Sequence, residues 1–168
     1  MIKYLIPENG SFYKANLHCH TNCSDGRLTP AEVKEVFFVP VDELLSMDKG
    51  IVCALSFEEN KLHVATESEL LVYERTPASA REFLCDTERS FVLYDCKSAY
   101  HALSDIGFKN CRFDVMLAAY ALNAGEGSFD LARLAMANLS QIPDDSAPSA
   151  LVVYDIYKIL KKKILQQS

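Results

Sequence analysis

Two stretches of the sequence concentrate side chains that can do chemistry. The first is LHCHTNCSDG, residues 17–26. On an extended strand residues i and i+2 share a face. His18 and His20 therefore present two imidazoles together, with Cys19 turned away and Asp25 on a tight turn that ends in Gly26. Neutral imidazole with carboxylate suits zinc, manganese or iron. The second stretch holds acids: Asp86 and Glu88 in Asp86-Thr87-Glu88, then Asp95 and Asp114. Carboxylates set together can hold two divalent cations for phosphodiester hydrolysis. Asp95 and Asp114, however, stand where a strand gives way to a helix, which is the place of an N-cap. Asp86 and Glu88 fall in a polar turn. All four are read as structural, and no catalytic residue is assigned. His63, alternating with apolar residues, and His101, on an apolar helix, are read as structural too.

The elements that position these residues come in two unlike segments. In residues 1–40, Tyr13 to His20 reads as a strand, TNCSDG as a turn, and AEVKEV (residues 31–36) as a helix of barely two turns. Thr29 is its cap and Pro30 its first residue. FFVP then interrupts, and Pro40 cannot continue a helix. In residues 41–168, strands are expected at Ile51–Phe57, Lys61–Thr66 and Leu70–Glu74, an antiparallel meander. A helix over Pro77–Leu84, a strand over Phe91–Tyr94 and a helix over Ser98–Ile106 with Gly107 at C′ follow. A short strand at Cys111–Phe113 leads into Val115–Leu122, apolar all round and so expected to be buried. Ser128 is expected to cap a helix running through Leu139. A last helix runs from Ser146 to Leu165, with Lys158, Lys161, Lys162 and Lys163 at its end. Strands and helices in this order predict an α/β domain with a mixed sheet and flanking helices. The long apolar runs of residues 41–168 carry nearly all the expected core, so this segment is expected to fold without residues 1–36.

The chain has 168 residues and a net charge of −6. Residues 41–149 hold nine basic and eighteen acidic side chains, whereas residues 150–168 hold four basic and one acidic. Non-specific DNA affinity comes mainly from Lys and Arg displacing counterions, so the chain alone is expected to bind DNA weakly. No apolar run reaches the roughly 18 residues of a membrane span, and no secretory signal is apparent. The expected location is the cytoplasm, with no membrane partner. There is no CxxC pair among the six cysteines. Disulfides are not expected, and Cys53, Cys85 and Cys96 are read as buried, inert thiols.

The N-terminal string resembles the first motif of the polymerase-and-histidinol-phosphatase (PHP) family of metal-dependent phosphoesterases, whose first strand reads His-x-His and continues into Ser-Asp-Gly. The resemblance covers residues 14–36 and implies that His18, His20 and Asp25 match metal-ligating positions. The later ligands of that family are missing, so the site is expected to be vestigial, with at most a weakly held zinc, manganese or magnesium ion.

FVLYDCKSAYHALSDIGFKNCRFDVMLAAYALNAGEGSFDLARLA, with the closing SALVVYDIYKILKKKI, resembles the 3′–5′ exonuclease domain of bacterial family A DNA polymerases (DNA polymerase I). The likeness covers residues 41–168 and implies an RNase H-like, DnaQ-like exonuclease fold. That family uses Asp-x-Glu on the first strand, an Asp on the helix after the fourth strand and an Asp near the last helix. Here the first strand reads IVCALSF, and the other two positions fall at Ala99 and Ala150. The resemblance is thus to the degenerate members of the family. It implies a catalytically silent scaffold or DNA-associated module of replication and repair, with no required cofactor, meeting DNA through an associated polymerase domain. The alternative is a PHP-type phosphoesterase acting through His18, His20 and Asp25.

Overall fold

A computed structural model of the chain describes residues 13–14, 35–58, 60–139 and 149–167. Its centre is a seven-stranded sheet in the order β1-β2-β5-β4-β3-β6-β7. The meander is β3 (Val52–Glu58), β4 (Lys61–Ala65) and β5 (Glu69–Tyr73), antiparallel throughout. Asn60 takes φ 63° in the turn between β3 and β4, a conformation Asn tolerates better than most residues. On the other side of β3, β6 (Ser90–Leu93) and β7 (Cys111–Asp114) add in parallel. β1 (Tyr13–Lys14) lies antiparallel to β2 (Glu35–Phe38).

Residues 35 and 36 correct the helix expected over residues 31–36. They belong to β2, which pairs in parallel with β5, Glu35 opposite Glu69 and Phe38 opposite Val72. The reason lies in the side chains that follow. Phe37 packs against one core cluster, while Val36 and Phe38 pack against the other. That is the two-residue alternation of a strand covered on both faces. A helix would carry these side chains round to several directions.

The two clusters are the two faces of the sheet. One gathers Leu55, Leu62, Leu93 and Phe91 under α1 (Val41–Ser46), α2 (Arg81–Leu84) and α3 (Cys96–Ala102), with Leu44, Phe83 and Ala99 from the helices. The other gathers Ala54, Ala65, Leu70 and Val92 under α4 (Val115–Leu122), α5 (Leu131–Leu139) and α6 (Ser149–Gln167). A mixed sheet covered by helices on both faces is the α/β, RNase H-like architecture expected from the element order.

Three local details depart from expectation. Helix α4 is not buried all round: Val115 and Ala119 are buried, but Leu117 and Tyr120 are 59% and 54% exposed. Helix α5 is capped by Asp130, whose Oδ1 accepts the Arg133 N–H at 2.8 Å; Ser128 instead braces Asp130. Cys96 is not an inert thiol but is disulfide-bonded to Cys111. β6 and β7 are neighbours, which brings the two Cα atoms to 6.3 Å, within the reach of a disulfide. The sequence separation of 15 residues hides that proximity. Cys53, by contrast, is buried and its thiol is pushed up to about 12 by burial, so it is unreactive. Cys85 is half-buried, its Sγ 3.2 Å from the Ile106 carbonyl. Among the described residues no helix is long and apolar enough to cross a membrane.

Candidate functional site

The C-terminal end of β3 meets the N-terminus of α6. Alternation along β3 turns Val52 and Ala54 to the α6 side of the sheet, and Ser56 and Glu58 follow on that side. The strand runs one residue further than the apolar run in the sequence indicates, so Glu58 becomes its terminal residue. Its Oε1 accepts the Ser149 N–H at 2.9 Å, and Ser56 Oγ accepts the Ala150 N–H at 3.1 Å. Two β3 side chains thus satisfy amide groups that a helix leaves without partners at its first turn. His63, paired with Ser56 in the β3–β4 ladder, places Nδ1 3.8 Å from Glu58 Oε2. Burial acts to raise the Glu58 carboxyl, but hydrogen bonds from Ser149 and Ser56, with His63 nearby, hold it below its ordinary value.

This corner is where an acid pair at i and i+2 on the first meander strand would face the last helix. Val52, Ala54 and Ser56 line that face inside the strand and none is an acid; Ala54 and Ala150 are both fully buried. Ala99, on α3, is 8% exposed and packs in the opposite core cluster. The described residues contain no group of three or more His, Cys, Asp or Glu side chains placed to hold a metal ion. Glu58, one residue beyond the strand expected at Ile51–Phe57, is committed to the helix start. Its only signal in the sequence is its place two residues beyond Ser56.

Asp95 lies just beyond β6 and Asp114 is the last residue of β7; each caps the helix that follows. Asp95 adopts φ 56° and ψ 72°, accepting the Ser98 N–H at 3.1 Å and the Ser98 hydroxyl at 2.5 Å. Those Ser98 bonds hold its carboxyl below the ordinary range. Asp114 divides its oxygens: Oδ1 accepts the Leu117 N–H at 3.1 Å and Oδ2 the Cys96 N–H at 2.8 Å. It therefore ties the start of α3 to the start of α4. Tyr94 donates its hydroxyl to the Phe129 carbonyl at 3.0 Å, and its pKa is raised by burial and by Asp130, Asp95 and Asp114.

Asp86 and Glu88 stand at the other end of the sheet, before β6. β3 and β6 are parallel with Val52 opposite Ser90, so a seven-residue strand, about 20 Å, separates this turn from the Glu58 end. Lys49 Nζ lies 3.0 Å from Asp86 and 2.5 Å from Glu88. The Lys49 hydrogen bond is the main cause that lowers the Asp86 pKa. Arg89, nearly buried, holds Asp86 at 3.4 Å and donates to the carbonyls of Leu45 and Met47. The structure therefore leaves Asp86 and Glu88 apart from Ala54, Ser56 and Ala150, and joins them to Lys49. His101 is exposed on α3. His18, His20 and Asp25 lie outside the described residues.

Residues 37–147 match the family model described as "DNA polymerase I, ribonuclease H-like domain". No curated protein matches the chain. Among solved structures, the POL domain of Pol1 from M. smegmatis, in complex with DNA primer-template and dNTP, superposes with a TM-score of 0.58 at 21% identity. That superposition covers 75% of this chain but 26% of the polymerase chain, so the chain spans about a quarter of it. Brucella melitensis NrnC gives a TM-score of 0.54 at 10% identity, covering 77% of this chain and 80% of that one. The EXO domain of Aedes aegypti Nibbler gives 0.53 at 12% identity, covering 76% and 84%. At these identities the likeness is one of fold.

Proposed function

The chain belongs to the DNA polymerase I, ribonuclease H-like domain family, and from that premise we propose that it is a catalytically silent exonuclease-like module. It acts as a scaffold or DNA-associated domain in replication or repair. The observation that carries the reading is the β3–α6 corner. Two-metal hydrolysis needs carboxylates that hold two cations about 4 Å apart and activate a water. At that corner Ala54, Ser56 and Ala150 offer no carboxylate, and Ser56 and Glu58 are hydrogen-bonded to the helix start. The position that the resemblance gives as Ala99 is also without an acid, and it packs on the opposite face of the sheet. The same packing that closes the corner anchors α6 to the sheet, which is what a scaffold requires.

DNA association is the second half of the reading. It is supported by family membership and by the likeness to a polymerase solved with DNA primer-template. The net charge of −6 favours contact through an attached polymerase over tight binding by this domain alone. The test is incubation of single-stranded DNA with the protein and Mg²⁺ or Mn²⁺. The expected result is intact DNA; stepwise 3′ trimming that stops when the metal is chelated contradicts the proposal.

A further inference from the structure

We propose that a basic cleft at the end of the sheet opposite the β3–α6 corner holds a backbone phosphate of single-stranded DNA. This deepens the DNA-association reading above and rests on it. The cleft, of about 480 Å³, opens between the N-terminal ends of β3 and β6 and α6; Lys49, Arg112 and Lys161, one acid, Glu88, and the rings of Phe113 and Tyr157 are on its walls. Phe113 and Tyr157, which line it, meet edge to face at 5.0 Å, and Tyr157 is buried. Lys161 Nζ lies 5.4 Å above the Tyr157 ring. Arg112 reaches Ser90 Oγ at 3.4 Å from the other wall.

Charge decides what the cleft accepts. Lys49 is neutralised by Asp86 and Glu88. On α6, Lys158 pairs with Asp155 at 3.5 Å and Lys163 donates to Asn138. Arg112 and Lys161 make no ion pair among the described residues. The helix dipole does not account for Lys161, because α6 continues to Gln167 and the dipole acts within the last turn. A second cleft of about 540 Å³ shares Tyr157 and Lys161 and adds Lys158, but carries two acids, Glu67 and Glu69, whereas the one acid of the first cleft, Glu88, is paired with Lys49. The anion is therefore directed to the Arg112 side. The volume suits one nucleotide. A positively charged groove that follows the backbone is one means by which proteins hold a single strand without reading its sequence.

Fluorescence anisotropy of a labelled oligothymidylate, of about a dozen nucleotides, tests the proposal on the full chain at low salt. The double variant Arg112→Ala/Lys161→Ala is expected to weaken binding about tenfold. It should also reduce the slope of log K against log salt by about 0.7, the loss of one neutralised phosphate on a single strand. Lys97→Ala/Lys109→Ala, which changes net charge equally on other surfaces, is expected to stay within about twofold of the parent. Circular dichroism verifies that both variants fold. No binding by the parent, no loss in the first variant, or equal loss in both variants overturns the cleft. The nuclease assay reads the silent-module proposal separately, since intact DNA there is compatible with failure here.

Discussion

The Ser56 hydroxyl accepts the Ala150 N–H at 3.1 Å across 94 residues of chain. Beside it the Glu58 carboxylate accepts the Ser149 N–H at 2.9 Å. A strand in the middle of the sheet thereby caps the longest helix among the described residues and seats α6 on the sheet.

That seating depends on pH through Glu58. Its carboxyl is held below its ordinary value in the folded chain, so the stabilisation is present above the unfolded pKa, about 4.3, and is lost as pH falls through the folded one. Glu58→Ala is expected to cost about 1 kcal/mol at neutral pH, the scale of a lost helix cap on a partly exposed side chain. The deficit should shrink in acid as the parent Glu58 protonates. Urea melts of both proteins at pH 7 and pH 3.5 measure it. A deficit that grows in acid contradicts the assignment.

Asp95 combines a cap with a left-handed backbone. Asp95→Asn, which caps and tolerates that conformation, is expected to be nearly neutral. Asp95→Ala loses the cap and keeps the strain, at about 1–2 kcal/mol. Asp95→Gly loses the cap but relieves the strain and should fall between. Thermal melts rank the three; Ala equal to Asn would show that the Ser98 bonds contribute nothing.

Strand β2 sets where the folding unit begins. A chain starting at Val41 lacks Val36, Phe37, Phe38 and Val39, which pack on both faces of the sheet. It is expected to lose several kcal/mol, given about 25 cal/mol per Å² of apolar burial, and to melt well below a chain starting at Glu35. Coincident melting curves for the two would show that β2 adds little.

The meander and the last helix were legible because their patterns are local: short apolar, β-compatible runs between polar turns in β3 to β5, and helical spacing at Val152, Val153, Ile156 and Leu160 in α6. β2 was not. AEVKEV after a Thr-Pro start satisfies every local rule for a helix, and what overrides it is pairing with β5, more than thirty residues downstream. The exposed face of α4 was equally hidden, because an all-apolar string carries no sign of which side meets the sheet. At the candidate site, the absence of acids inside the first strand and at Ala99 and Ala150 could be read directly. The role of Glu58 could not, since it depends on where α6 begins in space.

His18, His20 and Asp25 are proposed to hold a divalent ion weakly. Three donors fall short of the four that a structural zinc site uses, and Cys23, three residues after His20, is the cysteine placed to supply the fourth. Zinc titration by calorimetry is expected to give binding weaker than about a micromolar. Stoichiometric binding tighter than that, abolished by His18→Ala and His20→Ala, would establish a working metal site.

The central claim is catalytic silence, and a time course of 5′-labelled single-stranded DNA with the chain and millimolar Mg²⁺ or Mn²⁺ tests it most directly. With no carboxylate at Ala54, Ser56 or Ala150 in the β3–α6 corner, the label is predicted to remain at full length in both metals. A ladder of 3′-shortened products that grows with enzyme, requires the metal and disappears with chelator would contradict the account.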